Sequence, residues 1–142
     1  MDLVTARTAE KQRVEKLLED AQIKLSVVVS DIFGVSGREM MAALIAGERD
    51  PHVLAQMVRG KMRSKTARLV EAFIGRFSDH HGFLLSTMLA RIDALSVDIE
   101  AVQERTEEEL ALFAQAVARL DEIPGIGATA AAVIIAEIGL VL

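Results

Sequence analysis

The stretch that decides the fold is DHHGFLLSTMLARIDALSVDIEAVQERTEEELALFAQAVARL, residues 79–120. Its apolar residues recur at alternating steps of three and four, the heptad spacing of helices that pack as coiled coils. The pattern falters at Thr106 and Glu109 and resumes displaced by one position, as in a stutter. It predicts one helix of about 40 residues, roughly 60 Å long. These apolar residues, here called the seam, are Leu85, Met88, Ile92, Leu95, Ile99 and Val102, then Leu110, Phe113, Val117 and Leu120.

Such a helix is too long to stay within a compact domain of 142 residues. We therefore expect it either to fold back on the preceding helices or to pair with another chain. Those preceding residues predict shorter helices with recognisable starts. Ser36 with Glu39 three residues later forms a capping box, Asp50–Pro51 supplies an N-cap and a first helical proline, and Ser78–Asp79 can cap the long helix. The expected helices span residues 8–29, 37–46, about 51–60 and 62–77.

The composition places the chain among helix-rich proteins and excludes several classes. Apolar residues make up 51% of it, and it contains no tryptophan or tyrosine. It has no cysteine, which excludes a disulfide framework and a thiolate metal site. We find no signal-peptide pattern and no apolar run near the length of a membrane span, so we expect a cytoplasmic protein.

Charge is sorted along the chain, although the net charge is only −5. Residues 59–76 carry six basic side chains and one acid, whereas residues 98–109 carry six acids and one base. In a helix, Lys61, Lys65 and Arg68 would share one face. Two other interpretations stay open: an ordinary solvated face, or a complement to the acidic stretch. No aromatic residue interleaves with the basic ones, so we predict phosphate contacts rather than base stacking. The candidate residues are Arg59, Lys61, Arg63, Lys65 and Arg68.

The segment DEIPGIGATAAAVIIAEIG, residues 121–139, has the pattern of a helix-hairpin-helix. Proline ends the first helix, and Gly125 and Gly127 permit a tight turn. The backbone N–H groups of Gly127, Ala128 and Thr129 would then lie at the positive end of the last helix, where a phosphate can bind. Thr129 stands where DNA-binding members of this motif often carry lysine. The alternative is a plain reversal between two helices. The final helix is apolar around most of its circumference, so we expect it to pack in an interior.

The remaining polar clusters indicate structural roles. His80 and His81 are adjacent, and side chains one position apart on a helix point about 100° apart, so they do not converge on one metal ion. We expect them to cap and pack. The methionines are expected to fill the core. We predict no metal site, no cofactor and no catalytic residue in this chain.

Three segments in order resemble a known family: residues 14–51, residues 75–95 and the hairpin of residues 121–139. They are similar to the middle of bacterial DEDD-type insertion-sequence transposases, the recombinases guided by a bridge RNA. The resemblance covers about residues 10–142. It implies a parent function in DNA transposition, with DNA and a structured guide RNA as partners and a coiled coil for subunit association. The family's acidic metal cluster and its serine nucleophile belong to domains that this resemblance does not cover.

We therefore predict an all-α protein with one long coiled-coil-like helix and a C-terminal helix-hairpin-helix. The expected regions are residues 1–77, a helical linker; 78–120, the long helix; and 121–142, the start of a truncated transposase domain. We expect the chain to bind DNA or RNA and to form a homo-oligomer without catalysis. The alternatives are a purely structural dimerisation module, whose basic face answers only its own acidic face, and a regulatory product that forms mixed dimers with full-length transposase.

Overall fold

Every regular element is helical in the part of the chain that the structure describes, which is residues 2–121 without the side chains of Lys61 and Asp121. The structure is a computed structural model. It confirms the all-α prediction and the long helix. The elements are α1 (Leu3–Asp20), α2 (Leu25–Val28), α3 (Val35–Ala46), α4 (Pro51–Ala55), a 3-10 helix (Gly60–Lys65), α5 (Thr66–Ala72) and α6 (Asp79–Asp121).

The chain divides into two compact units, Met1–Ser96 and Val97–Leu142. The first unit holds α1 to α5 and the beginning of α6. The described part of the second unit is the remainder of α6.

The expected helix over residues 8–29 is wrong, because the chain turns between α1 and α2. Gln22 adopts a left-handed conformation with φ 59°, which ends α1 without any glycine or proline in the turn. The segment after α5 crosses this turn so closely that a Cβ atom on Gly75 would lie 2.6 Å from the Ala21 carbonyl oxygen. The backbone N–H of Arg76 donates to that same oxygen at 2.6 Å. A tertiary contact therefore fixes this break.

The predicted capping box of α3 is also wrong. The helix begins at Val35, and its N-cap residue Gly34 makes no side-chain capping bond. Ser36 Oγ instead accepts a hydrogen bond from the backbone N–H of Arg59 at 3.2 Å. Glu39 Oε1 pairs with Nη2 of the same arginine at 2.5 Å. Both polar side chains are thus engaged by Arg59 rather than by the start of their own helix.

The other predicted helix starts are confirmed, while two predicted helix lengths are not. Asp50 Oδ1 accepts from the backbone N–H of His52 at 2.9 Å, and Ser78 Oγ accepts from that of His81 at 3.2 Å. However, α4 ends at Ala55, and the helix expected over residues 62–77 is a 3-10 helix followed by the short α5.

Helix α1 runs antiparallel to the beginning of α6. Arg7 Nη1 donates to Ser96 Oγ at 3.3 Å, Arg91 Nη1 to Glu10 Oε1 at 3.5 Å, and His81 Nε2 lies 3.0 Å from an Asp20 carboxylate oxygen. As residue numbers rise along α1, those of its partners fall along α6. The first part of α6 therefore folds back on an N-terminal helix, one of the two arrangements predicted for it.

The core of the first unit is formed by all its helices. The short helices complete it because α4 packs on α5 and α3, and α2 packs on α5. Met40 and Met41 are fully buried, and Met57, Met62 and Met88 pack on the core at its edge, so the predicted role of these methionines is confirmed. The largest fully buried side chains are those of Val14, Leu25, Met40, Met41, Leu44, Leu54, Leu69 and Leu85.

Candidate nucleic-acid interface

The 3-10 helix changes the predicted basic face. Three residues make one turn of a 3-10 helix, so positions 61 and 65 do not share a face there as they would in an α-helix. Lys65 and Arg68 remain on one side of the chain as it enters α5. Lys65 is half-buried, and its Nζ donates to the Val28 carbonyl oxygen at 3.3 Å, at the end of α2. The α-helix assumed for the face of Lys61, Lys65 and Arg68 therefore begins only at Thr66, and Lys65 has a structural bond. The side chain of Lys61 lies outside the described part of the chain.

Arg59 is likewise engaged within the fold, since its guanidinium pairs with Glu39 and its backbone N–H with Ser36. Arg63, Arg68 and Arg76 differ from it. Their side chains are exposed, and none of the three has an ion pair or side-chain hydrogen bond with any residue between positions 2 and 121. These three guanidinium groups are available to an anionic ligand.

The packing of α2 on α5 adds a cation that the sequence analysis missed. The backbone N–H of Lys24 donates to the Ala72 carbonyl oxygen at 2.9 Å, which places this exposed lysine at the end of α5. Arg76 is held beside the same turn by its bond to Ala21. Arg68 lies three positions after Lys65 and four before Ala72, a helical spacing. Those two residues bond to Val28, the last residue of α2, and to Lys24, the residue before α2. Arg63 lies in the 3-10 helix just before α5, where its carbonyl oxygen accepts from Thr66 Oγ1 at 2.7 Å. We call the exposed cations Lys24, Arg63, Arg68 and Arg76, which lie in α5 or in the segments next to it in sequence or contact, the basic surface.

Sequence alone gives little indication of Lys24, because it stands more than thirty positions before the basic stretch, beside Asp20 and Glu19. Lys24 joins the basic surface through its backbone hydrogen bond to α5, a tertiary contact that the sequence pattern does not predict. The other predicted phosphate site, formed by Gly125, Gly127, Ala128 and Thr129, lies outside the described residues, as does the whole helix-hairpin-helix.

The seam differs between the two parts of α6. In the first unit its residues Leu85 and Ile92 are buried in the core. In the second unit Ile99 is buried and Phe113, Val117 and Leu120 are half-buried, whereas the side chains of Val102 and Leu110 are exposed by 55% and 59%. An apolar row of this kind is a candidate surface for another helix.

The opposite side of α6 in the second unit is acidic. Glu100, Glu104, Glu107 and Glu108 follow spacings that place them on one face, away from the seam. All four are exposed, and none has an ion pair with any other described residue. We call these four residues the acidic face. Glu109, by contrast, pairs with Arg105 Nε at 3.0 Å.

The start of α6 brings a serine, a histidine and an aspartate together. His81 Nδ1 lies 2.9 Å from Ser78 Oγ and accepts from the Ser78 backbone N–H at 3.0 Å. Since that nitrogen accepts, Nε2 carries the proton and donates to Asp20. Ser78 and His81 satisfy each other's backbone groups, as the two ends of a capping box do. The set is a helix cap tied to α1, which confirms the capping role predicted for the histidines in the case of His81, while His80 is exposed.

The structure gives two further findings on ligands and surroundings. Within residues 2–121, no group of three or more histidine, aspartate or glutamate side chains could hold a metal ion. Over the same residues, no helix combines the length and the apolar character needed to cross a membrane.

We also compared the chain with protein-family models, curated proteins and solved structures, and none of them matches it.

Proposed function

We propose that the chain is a non-catalytic helical part of a DEDD-type insertion-sequence transposase. In this proposal it binds the phosphates of DNA or of a structured guide RNA and associates with a second copy. The observation that carries the proposal is the basic surface, where exposed cations have no partner among the described residues. The family resemblance of the sequence supplies the transposition context.

The chemistry of the basic surface suits phosphate groups. Three of its four cations are arginines, whose planar guanidinium groups form paired hydrogen bonds with phosphate oxygens. No aromatic side chain takes part in it, so the contacts would position a nucleic acid without reading its bases. The net charge of −5 opposes approach at long range, so binding depends on contacts within a Debye length, about 8–10 Å at moderate salt.

Salt dependence follows from the number of cations. Four phosphate contacts give a slope of roughly −3.6 in a plot of log affinity against log salt for duplex DNA. Affinity should then fall roughly a hundredfold between about 50 and 200 mM salt.

Fluorescence anisotropy with a labelled duplex DNA and a labelled structured RNA tests the proposal. We expect Arg63→Ala/Arg68→Ala to weaken binding and to reduce the salt slope by roughly two. The matched control is Lys16→Glu, which alters the net charge by the same amount at an exposed position on α1. Equal effects of the two variants, or binding that does not respond to salt, would refute the basic surface as the interface.

A second candidate function, a structural dimerisation module, is favoured by the exposed seam residues Val102 and Leu110. Sedimentation at several concentrations tests it. We expect Val102→Ser/Leu110→Ser to reduce self-association, whereas Val97→Ser/Leu112→Ser should not, because this second pair is also exposed but lies off the seam. A monomer at all concentrations excludes this module, and it also argues against a regulatory product that acts through mixed dimers.

A further inference from the structure

The acidic face and the basic surface carry opposite charges, and neither is neutralised by a residue in the part of the chain that the structure describes. Each consists of four exposed charged residues, and neither has an ion partner among residues 2–121. On α6, Glu104 and Glu108 stand four positions apart, a spacing at which like charges destabilise a helix. A cationic partner relieves this repulsion, and an anionic partner pairs with the arginines of the basic surface.

A second copy of this chain fits that requirement directly. Every copy carries one acidic face and one basic surface, so the acidic face of one copy has its charge complement on another copy. The numbers of charges match, four carboxylates against four cations. Pairing of two acidic faces in parallel register would instead bring like charges together, which disfavours that arrangement.

We propose that the acidic face of one copy docks on the basic surface of a second copy, and that a nucleic acid must displace it to bind. Without nucleic acid, the acidic face of one copy thus covers the phosphate-binding surface of another copy. When a nucleic acid binds, its phosphates replace the carboxylates of that acidic face. The docking stands on the charges alone, whereas the competition rests on the function proposed above.

The docking is tested without nucleic acid, by sedimentation in the Val102→Ser/Leu110→Ser background, which removes association through the seam. We expect association that weakens as salt is raised. Glu104→Lys/Glu108→Lys and Arg63→Glu/Arg68→Glu should each reduce it roughly tenfold, since each exposed ion pair contributes a factor of about 1.5 to 5. Glu15→Lys/Glu19→Lys, exposed acids on α1, serve as the control and should have a smaller effect.

An equimolar mixture of the two charge-reversed variants should associate again, because each then offers the complement of the other. Absence of this recovery overturns the docking, whatever the variants do separately. Circular dichroism of each variant, which should match the parent, establishes that the fold is kept.

The competition is tested by anisotropy at a protein concentration where the parent associates. Glu104→Gln/Glu108→Gln should raise affinity for the labelled RNA roughly threefold to tenfold, and more than Glu15→Gln/Glu19→Gln does. An equal effect of both pairs overturns the competition, because only long-range charge would then be at work. Recovered association without any RNA binding overturns the proposed function and leaves the docking intact.

Discussion

The Nε2 atom of His81 lies 3.0 Å from a carboxylate oxygen of Asp20 and so joins the start of α6 to the end of α1. The same imidazole caps α6 through Ser78 and packs on the Phe77 ring, with ring centroids 5.7 Å apart. The half-buried side chain of His81 thus takes part in a helix cap, an aromatic contact and a link between two helices. The two linked residues, Asp20 and His81, are 61 positions apart in sequence.

Replacing the two partners of this link should have unequal effects. Asp20 is largely exposed, so we expect Asp20→Ala to cost about 0.2–1 kcal/mol of unfolding free energy. His81→Ala also removes the cap and the ring contact and should cost about 2 kcal/mol. Urea unfolding of both variants and of the double variant measures this. A double variant as costly as the sum of the two single ones would contradict the link.

The N-cap of α1 should titrate at acid pH. Asp2 Oδ1 accepts from the backbone N–H of Thr5 at 2.7 Å, and this bond holds the pKa of the Asp2 carboxyl below its ordinary value of 3.8. Because the pKa is lower in the folded state, the capping contribution is complete above pH 3.8 and disappears as the pH falls through the lowered value. The amide shift of Thr5 in an NMR pH titration should follow this change. Asp2→Asn caps without titrating and should show no such step.

Two glycines should respond oppositely to alanine. A Cβ on Gly75 would lie 2.6 Å from the Ala21 oxygen and 2.8 Å from that of Gln22, so Gly75→Ala should destabilise the fold by about 1–3 kcal/mol. At Gly82, inside α6, the nearest atom would be 3.6 Å away. Gly82→Ala should therefore stabilise by up to about 1 kcal/mol through helix propensity. Thermal unfolding compares the two. Equal effects would show that the turn at Ala21 moves freely.

The buried carboxylate on α1 should be replaceable by an apolar side chain. Glu10 is only 4% exposed, its Oε1 pairs with Arg13 and Arg91, and its Oε2 is buried with no hydrogen-bond partner in the described part of the chain. Removing that unsatisfied oxygen should offset the loss of two largely exposed arginine pairs.

We therefore expect Glu10→Met to be neutral or to stabilise by about 1 kcal/mol in urea unfolding. Arg13→Gln/Arg91→Gln should instead destabilise, because it leaves the buried carboxylate without a cation. A loss of more than about 3 kcal/mol in Glu10→Met would show that the ion pairs outweigh the burial.

The sequence predicted those features that depend on local periodicity or on a single cap. The long helix from Asp79, its cap at Ser78, and the start at Asp50–Pro51 all have strong local signals, and the structure confirms each. The break at Gln22 was missed because its turn carries neither glycine nor proline. Its cause is the crossing of Gly75 and Arg76 from elsewhere in the chain.

The same distinction applies to the candidate site. Arg63 and Arg68 were predicted from the run of basic residues in the sequence. Their exposure is expected because charged side chains lie mostly at the protein surface. Arg59 and Lys65 were also selected, but Glu39 and the end of α2 engage them in the structure. Lys24 was missed for the converse reason, since only the packing of α2 on α5 brings it near the other cations.

The antiparallel register of α1 on α6 also has a temporal consequence. The three bonds that define it join residues 61, 81 and 89 positions apart. During synthesis α1 leaves the ribosome first, while the helix that shelters it is made only after α2 to α5. The contacts between α1 and α6 therefore form only after α2 to α5 have been made, and the closing of this long loop is the step that we expect to set the folding rate.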